Sequence, residues 1–134
     1  MKLLLDIGNT STHAALTTAR RIRRYAEFPT ANWAGPREAR WIRSFAKDAS
    51  IESVVICSVV PKATGHAKKH FRQMALPTTE FTHRNCGIAI DYPKPATIGP
   101  DRLANARAGM AEFGAPIVVV DFGTALTFDI VDRT

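Results

Sequence analysis

The sequence predicts an α/β fold: a mixed sheet flanked by helices, followed by the beginning of a second domain of the same kind. Three observations lead there. Near the start, an apolar run closes in a polar turn, Leu3-Leu4-Leu5-Asp6-Ile7-Gly8-Asn9-Thr10. Nearly the same phrase returns as Val118-Val119-Val120-Asp121-Phe122-Gly123-Thr124. Between the two, apolar β-branched runs alternate with segments of helical period in the order β-β-β-α-β-α-β, which suits helices packed on a sheet.

Each element has its own signal. Lys2–Ile7 reads as a buried strand, and Gly8-Asn9-Thr10 as a turn. Residues 12–17 and 22–28 read as further strands, so the chain opens with an antiparallel meander. Pro36 opens a helix whose Trp41, Ile42 and Phe45 share one apolar face. Residues 53–60 are continuously apolar and β-branched, as suits a central parallel strand. A second helix is predicted over 63–75 and a short strand over 79–82. Residues 83–97 form a loop rich in Pro, Gly and Asn, and this loop marks a boundary. Ile98-Gly99-Pro100-Asp101-Arg102 introduces a third helix running to Phe113, with Pro100 in its first turn. Residues 117–121 read as another buried strand, Gly123-Thr124 as a second turn and 125–131 as the return strand. The expected organisation is a first domain over 1–97, with its turn at 6–13, and over 98–134 an interdomain helix with an incomplete second domain. The chain therefore reads as a fragment holding one and a fraction domains.

Composition narrows the classes. A hydrophobic content of 46% with 22% charged residues is that of a soluble globular protein. No apolar run is long enough to span a bilayer, and Asp6 interrupts the first one too early for a secretory signal. Cys57 and Cys86 do not make a disulfide framework. Cys57 reads as a buried thiol, and a reducing, cytoplasmic setting fits. The net charge of +6 gathers at Arg20, Arg21, Arg23 and Arg24 and at Lys68, Lys69 and Arg72. These clusters read as solvated faces. Aromatic interleaving of the kind that stacks bases is missing, which argues against nucleic acid as a partner.

Asp, Gly and a hydroxyl after a strand make a phosphate-facing turn. The glycine permits an unusual φ and brings amide N–H groups close to phosphate oxygens, while Asn9, Thr10 and Ser11 add short donors. The carboxylate cannot hold phosphate itself, because like charges repel. Its role would be to organise a metal ion or metal-bound water between the phosphates. A single Asp-x-Gly also makes plain hairpins. A pair of them, each after a buried strand, resembles the two jaws of the nucleotide cleft in actin-like and sugar-kinase-like ATPases.

Three segments in order, Asp6-Ile7-Gly8-Asn9-Thr10, then Gly99-Pro100-Asp101-Arg102, then Asp121-Phe122-Gly123-Thr124-Ala125-Leu126-Thr127-Phe128-Asp129, resemble the type III pantothenate kinase family of the acetate and sugar kinase/Hsp70/actin superfamily. The resemblance runs over the whole chain. It implies a ribonuclease H-like (actin-like ATPase) fold and ATP-dependent phosphorylation of pantothenate to 4′-phosphopantothenate, the opening step of coenzyme A synthesis. It also implies magnesium, a monovalent cation (potassium or ammonium) and a homodimer. By the same resemblance Asp6, Ile7, Gly8, Asn9, Thr10, Ser11, Thr12 and His13 match the first ATP-binding turn, and Thr124 a further ATP contact. Tyr92, Gly99, Pro100, Asp101 and Arg102 match the pantothenate site, with Asp101 as proton acceptor. Asp121 matches the monovalent-cation ligand, and Asp6 is a candidate to reach magnesium through bound water.

The chemistry suits these roles. Pantothenate carries a carboxylate, for which Arg102 offers a fork of donors, and amides at a helix start also favour an anion. A carboxylate such as Asp101 is a far weaker base than an alkoxide. The hydroxyl proton should therefore move late in a loose phosphoryl-transfer transition state, and orientation should matter more than basicity. Plainer readings stand beside these. Asp101-Arg102 also suits a helix-start carboxylate with a surface arginine. Tyr92 could anchor the loop of Pro93 and Pro95, Asp121 could be a hairpin residue, and Asp129 could be structural. His13 could face phosphate or simply the strand surface. His66 and His70 have helical spacing but no acidic partner, and read as exposed rather than zinc-binding. Two other functions remain open: a non-enzymatic regulator or nucleic-acid-binding accessory factor on the same fold, and a superfamily kinase with another small acceptor.

Overall fold

The computed structural model describes residues 1–19, 21–35, 37–123 and 125–133, and only the backbone of 37–39. Arg20 and Pro36, assigned above to a basic cluster and a helix start, lie outside the described residues. The chain divides into two compact units, Met1–Phe81 and Thr82–Thr134. The sequence places its boundary later, at the end of the Pro-rich loop. That loop groups instead with the second unit: Cys86 is 3% exposed, and a Cβ on Gly87 would meet the Arg107 side chain at 3.5 Å.

The first unit contains β1 (Lys2–Ile7), β2 (Ser11–Thr17), β3 (Ile22–Pro29), a 3₁₀ turn (Thr30–Ala34), α1 (Arg37–Phe45), β4 (Ser53–Ser58), α2 (Pro61–Gln73) and β5 (Thr78–Glu80). The sheet order is β3-β2-β1-β4-β5. β1, β2 and β3 run antiparallel, and β4 is parallel to both β1 and β5. Parallel neighbours need a crossover, which α2 supplies between β4 and β5. This mixed sheet with its helices is the α/β arrangement expected of a ribonuclease H-like, actin-like domain.

One face of the sheet carries the core. Leu3, Leu5 and Ile7 of β1, Ala14 and Leu16 of β2, and Val54 and Ile56 of β4 pack with Ile42 and Phe45 of α1 and Ala63, Ala67 and Phe71 of α2. Burying each large side chain stabilises the fold by roughly 1.5–3 kcal/mol. The other face is more open: Leu4 is 37% exposed, Asp6 is exposed and Cys57 is only half-buried. β1 and Cys57 are thus less buried than their apolar runs suggest, because such a run does not reveal whether one face of the strand is covered or both.

Local chemistry moves several boundaries. α2 begins at Pro61, with proline at the first helical position, where its missing N–H costs nothing. β4 ends at Ser58, whose hydroxyl accepts the Val60 N–H at 3.1 Å. The C-terminus of α2 is closed by Leu76 N–H to Phe71 O and Ala75 N–H to Arg72 O, both 3.0 Å, with Ala75 at φ 55°. That is the Schellman pattern, in which the left-handed position usually holds glycine.

The second unit contains a 3₁₀ turn (Pro95–Thr97), α3 (Pro100–Phe113), β6 (Ile117–Phe122) and β7 (Leu126–Val131). β6 and β7 form an antiparallel hairpin. α3 lies on the face of Ile117, Val119 and Asp121, and a Cβ on Gly109 would come within 2.8 Å of Val119 Cγ2. The opposite face presents Val118, Val120, Phe122, Leu126, Phe128 and Ile130, all exposed. The apolar run of β6 predicts a buried strand, yet no residue of it is buried. One face of the run lies against a helix and the other is open.

Candidate functional site

The two Asp-x-Gly turns fold differently. In the first, Ile7 pairs with Thr12, leaving Gly8, Asn9, Thr10 and Ser11 to turn the chain, and Gly8 N–H donates to Ser11 O at 3.0 Å. Gly8 has no positive φ. Its constraint is space, since a Cβ there would lie 3.1 Å from Ser11 O. In the second, Phe122 pairs with Leu126 and the turn is one residue shorter, closed by Gly123 N–H to Ala125 O at 3.3 Å. Thr124 lies outside the described residues.

The first turn is braced from behind by a segment that sequence reasoning missed. Thr30 N–H donates to Thr10 O at 2.9 Å, and Thr30 Oγ1 donates to Gly8 O at 2.7 Å. Thr30 has one hydroxyl proton, so in the 3.0 Å contact between Thr12 Oγ1 and Thr30 Oγ1 it is Thr12 that donates. Trp33 Nε1–H in turn donates to Thr12 Oγ1 at 3.0 Å. Trp33 is 1% exposed, Thr12 0% and Thr30 5%. A buried, polarised chain of hydrogen bonds thus runs from the Trp33 indole to the Gly8 carbonyl. The clue in the sequence was a hydroxyl–x–x–Trp pattern just after the meander, which no strand or helix period singles out.

This bracing sorts the residues expected to meet ATP. Asn9 and Thr10 are exposed, and Ser11 is half-exposed. Ile7 and Thr12 have fully buried side chains, so they can offer a ligand only backbone groups. Asp6 points to the open face of the sheet, with His13 of β2 and Cys57 of β4 as its cross-strand neighbours. His13 Nδ1 meets Tyr25 Oη at 2.6 Å and the two rings stack.

In the second unit four of the expected substrate residues, Gly99, Pro100, Asp101 and Arg102, form the start of α3. Gly99 is the N-cap and carries no capping side chain. Asp101 replaces it by folding back, and its Oδ1 accepts the Arg102 N–H at 2.8 Å. A Cβ on Gly99 would collide with that same carboxylate oxygen, so glycine at 99 is what lets Asp101 adopt this posture. Among the described residues Asp101 Oδ2 takes no hydrogen bond. Tyr92 stands on the loop, 53% exposed.

α3 brings two of the separated motifs together. Arg102 Nε and Nη2 donate to Asp129 Oδ1 at 2.8 and 2.5 Å, and Nη2 also donates to Phe128 O at 3.1 Å. The bond to Asp129 holds the guanidinium above its ordinary basicity against desolvation, with smaller contributions from the charges of Asp129, Asp101 and Tyr92. One turn along the helix, Asn105 Nδ2 donates to Asp121 Oδ2 at 3.0 Å. Thr127 Oγ1 and Asp129 Oδ2 are buried oxygens without a hydrogen-bond partner among the described residues, and Thr127 is the cross-strand partner of Asp121. Among the described residues no group of three or more His, Cys, Asp or Glu could hold a metal. Magnesium usually takes one or two carboxylates together with substrate phosphates and water, and Asp6 on the exposed face of the sheet fits that pattern.

The remaining clusters are quieter. Lys68 pairs with Glu80 at 2.6 Å, His66 is exposed while His70, expected to be exposed too, is half-buried with its ring against Phe71, and Arg24 donates to the carbonyls of Phe45 and Lys47. Among the described residues no helix is long and apolar enough to cross a membrane.

Comparison with known proteins gives one answer. The sequence profile of the type III pantothenate kinase family matches residues 2–134. The chain is 38% identical to the type III pantothenate kinase of Methylacidiphilum infernorum, over 98% of this chain and 46% of that protein. It is 38% identical to that of Akkermansia muciniphila, over 96% of this chain and 51% of the relative, and 35% identical to that of Acidiphilium cryptum, over 98% and 53%. The chain spans about half the length of the curated relatives it matches.

Proposed function

The chain belongs to the type III pantothenate kinase family, and from that premise we propose that the full-length protein uses ATP to phosphorylate pantothenate to 4′-phosphopantothenate, opening coenzyme A synthesis. The observation that carries this reading is the posture of Asp101 and Arg102. One carboxylate is tethered by a single oxygen over Gly99, and beside it a guanidinium is fixed against the return strand.

In this reading Asn9, Thr10 and Ser11 contact the ATP phosphates from a turn that Gly8 shapes, and Thr124 is a further ATP contact by the family resemblance. Magnesium, when bound with ATP, neutralises phosphate charge, and Asp6 would reach it through water. Asp121 would hold potassium or ammonium, and the Thr127 oxygen suits the same ion. Arg102 and the amides at the start of α3 receive the pantothenate carboxylate, and Tyr92 closes the pocket from the loop. Asp101 Oδ2 accepts the hydrogen bond of the reacting hydroxyl, orients its lone pair toward the γ-phosphorus and takes the proton late. The protein would act in the cytoplasm as a homodimer.

The test is Asp101→Asn in the full-length protein. Turnover with ATP, magnesium and potassium should fall by about 10²–10⁴-fold, while ATP binding by calorimetry is retained. Unchanged turnover would remove Asp101 as proton acceptor. Wild-type protein that does not phosphorylate pantothenate would remove the function itself.

A further inference from the structure

Arg102 does not wait for its substrate as an unrestrained side chain. Two of its nitrogens, Nε and Nη2, converge on one carboxylate oxygen, Asp129 Oδ1, and Nη2 also reaches the Phe128 carbonyl. The guanidinium is planar, so fixing one edge fixes the whole plane. The Nη1 end takes no hydrogen bond among the described residues, and the arginine side chain is 41% exposed while that of Asp129 is 12% exposed. The arginine is therefore held from its buried side and offered from its open side.

A plain helix–sheet contact would not look like this. On β6 and β7, the face toward α3 carries Asp121, Thr127 and Asp129 among Ile117, Val119 and Val131. The ion pair is only partly buried, and pairs with that much exposure contribute little stability. Asp129 keeps one oxygen buried without a hydrogen-bond partner among the described residues, which is a cost. Polar residues here trade stability for orientation. The orientation they give falls on the first turn of α3, where Asp101 and Arg102 stand next to each other.

We propose that Asp129 is a positioning residue for substrate recognition: it grips Arg102 by the Nε–Nη2 edge so that the Nη1 end meets the carboxylate of an acid substrate. The inference rests on the reading of Arg102 as the pantothenate clamp. It adds that the clamp is one-ended, because the fork that usually makes bidentate contact with a carboxylate is already engaged. Selectivity for an acid over a neutral analogue then depends on a residue that never touches the substrate.

The experiment compares wild type with Asp129→Asn in the full-length protein, using pantothenate and its neutral carboxamide, in which the acid is replaced by an amide. With the grip weakened, KM for pantothenate should rise about tenfold while kcat and the KM for the carboxamide stay within about twofold. An equal rise for both substrates would make Asp129 merely structural, and an unchanged or lower KM for pantothenate would also overturn the proposal. Urea denaturation of Arg102→Met, Asp129→Asn and the double variant measures the coupling without any activity. A protein inactive toward both substrates with clear coupling would sink the function and keep the grip. Vanishing coupling would sink the grip whatever the kinetics.

Discussion

At the residue scale, the first turn depends on atoms behind it. Asp6, Gly8, Asn9 and Thr10 are the residues a sequence pattern selects, because Asp-x-Gly before short polar side chains has a known use. Their posture rests on Thr30, which bonds both Thr10 O and Gly8 O and receives the Thr12 hydroxyl. Thr30→Val keeps the shape and removes the hydroxyl, leaving the half-buried Gly8 carbonyl and the buried Thr12 proton without that partner. The expected cost is about 1–3 kcal/mol, read as a lower urea midpoint, together with a raised KM for ATP because the turn loses its brace. An unchanged midpoint would show that the chain from Trp33 to Gly8 is dispensable. The same logic separates Asp101 from its surroundings. The carboxylate was legible in Gly-Pro-Asp-Arg, but the reason for glycine beside it was not, since the Asp101 side chain occupies the place of a Gly99 Cβ only after folding.

At the scale of elements, the strands and helices were largely legible because their periods are strong. β1 and α3 occupy the spans expected of them, and α1 buries Ile42 and Phe45 as its spacing requires. What periodicity missed were the ends and the short pieces. The 3₁₀ turn at Thr30–Ala34 has no period to read, yet it carries Trp33 into the core. The end of α2 is another such case: Ala75 takes a left-handed conformation that an alanine Cβ resists. Ala75→Gly keeps the Schellman bonds and relieves that strain. It should stabilise the first unit by about 1 kcal/mol, less the extra entropy glycine gives the unfolded chain. Thermal melts that show no gain would mean the strain is already relaxed.

At the scale of the whole molecule, the open apolar face of β6–β7 is expected to govern association in solution. Val118, Val120, Phe122, Leu126, Phe128 and Ile130 form one exposed surface, with Phe122 83% and Ile130 79% exposed. A contiguous patch of this kind binds hydrophobic dyes and promotes association. The 134-residue chain should scatter light increasingly with concentration. Phe122→Lys with Ile130→Lys should reduce that scattering and the fluorescence of bound anilinonaphthalene sulfonate. Undiminished scattering would place the association elsewhere, for instance along the β3 edge, where Ile22 and Tyr25 are exposed.

The sequence by itself determined the element order, the two Asp-x-Gly turns and the Gly-Pro-Asp-Arg helix start. Each of these is local: a period, a turn chemistry or a proline's fixed φ acts within a few residues. Only the tertiary structure decided which face of each strand is covered, and that the two turns differ in length. It alone tied Thr30 and Trp33 to the first turn, and Arg102 and Asn105 to Asp129 and Asp121. Those pairings join residues far apart in the chain through at most a few hydrogen bonds each. They are set by how the core packs, and no local pattern encodes them.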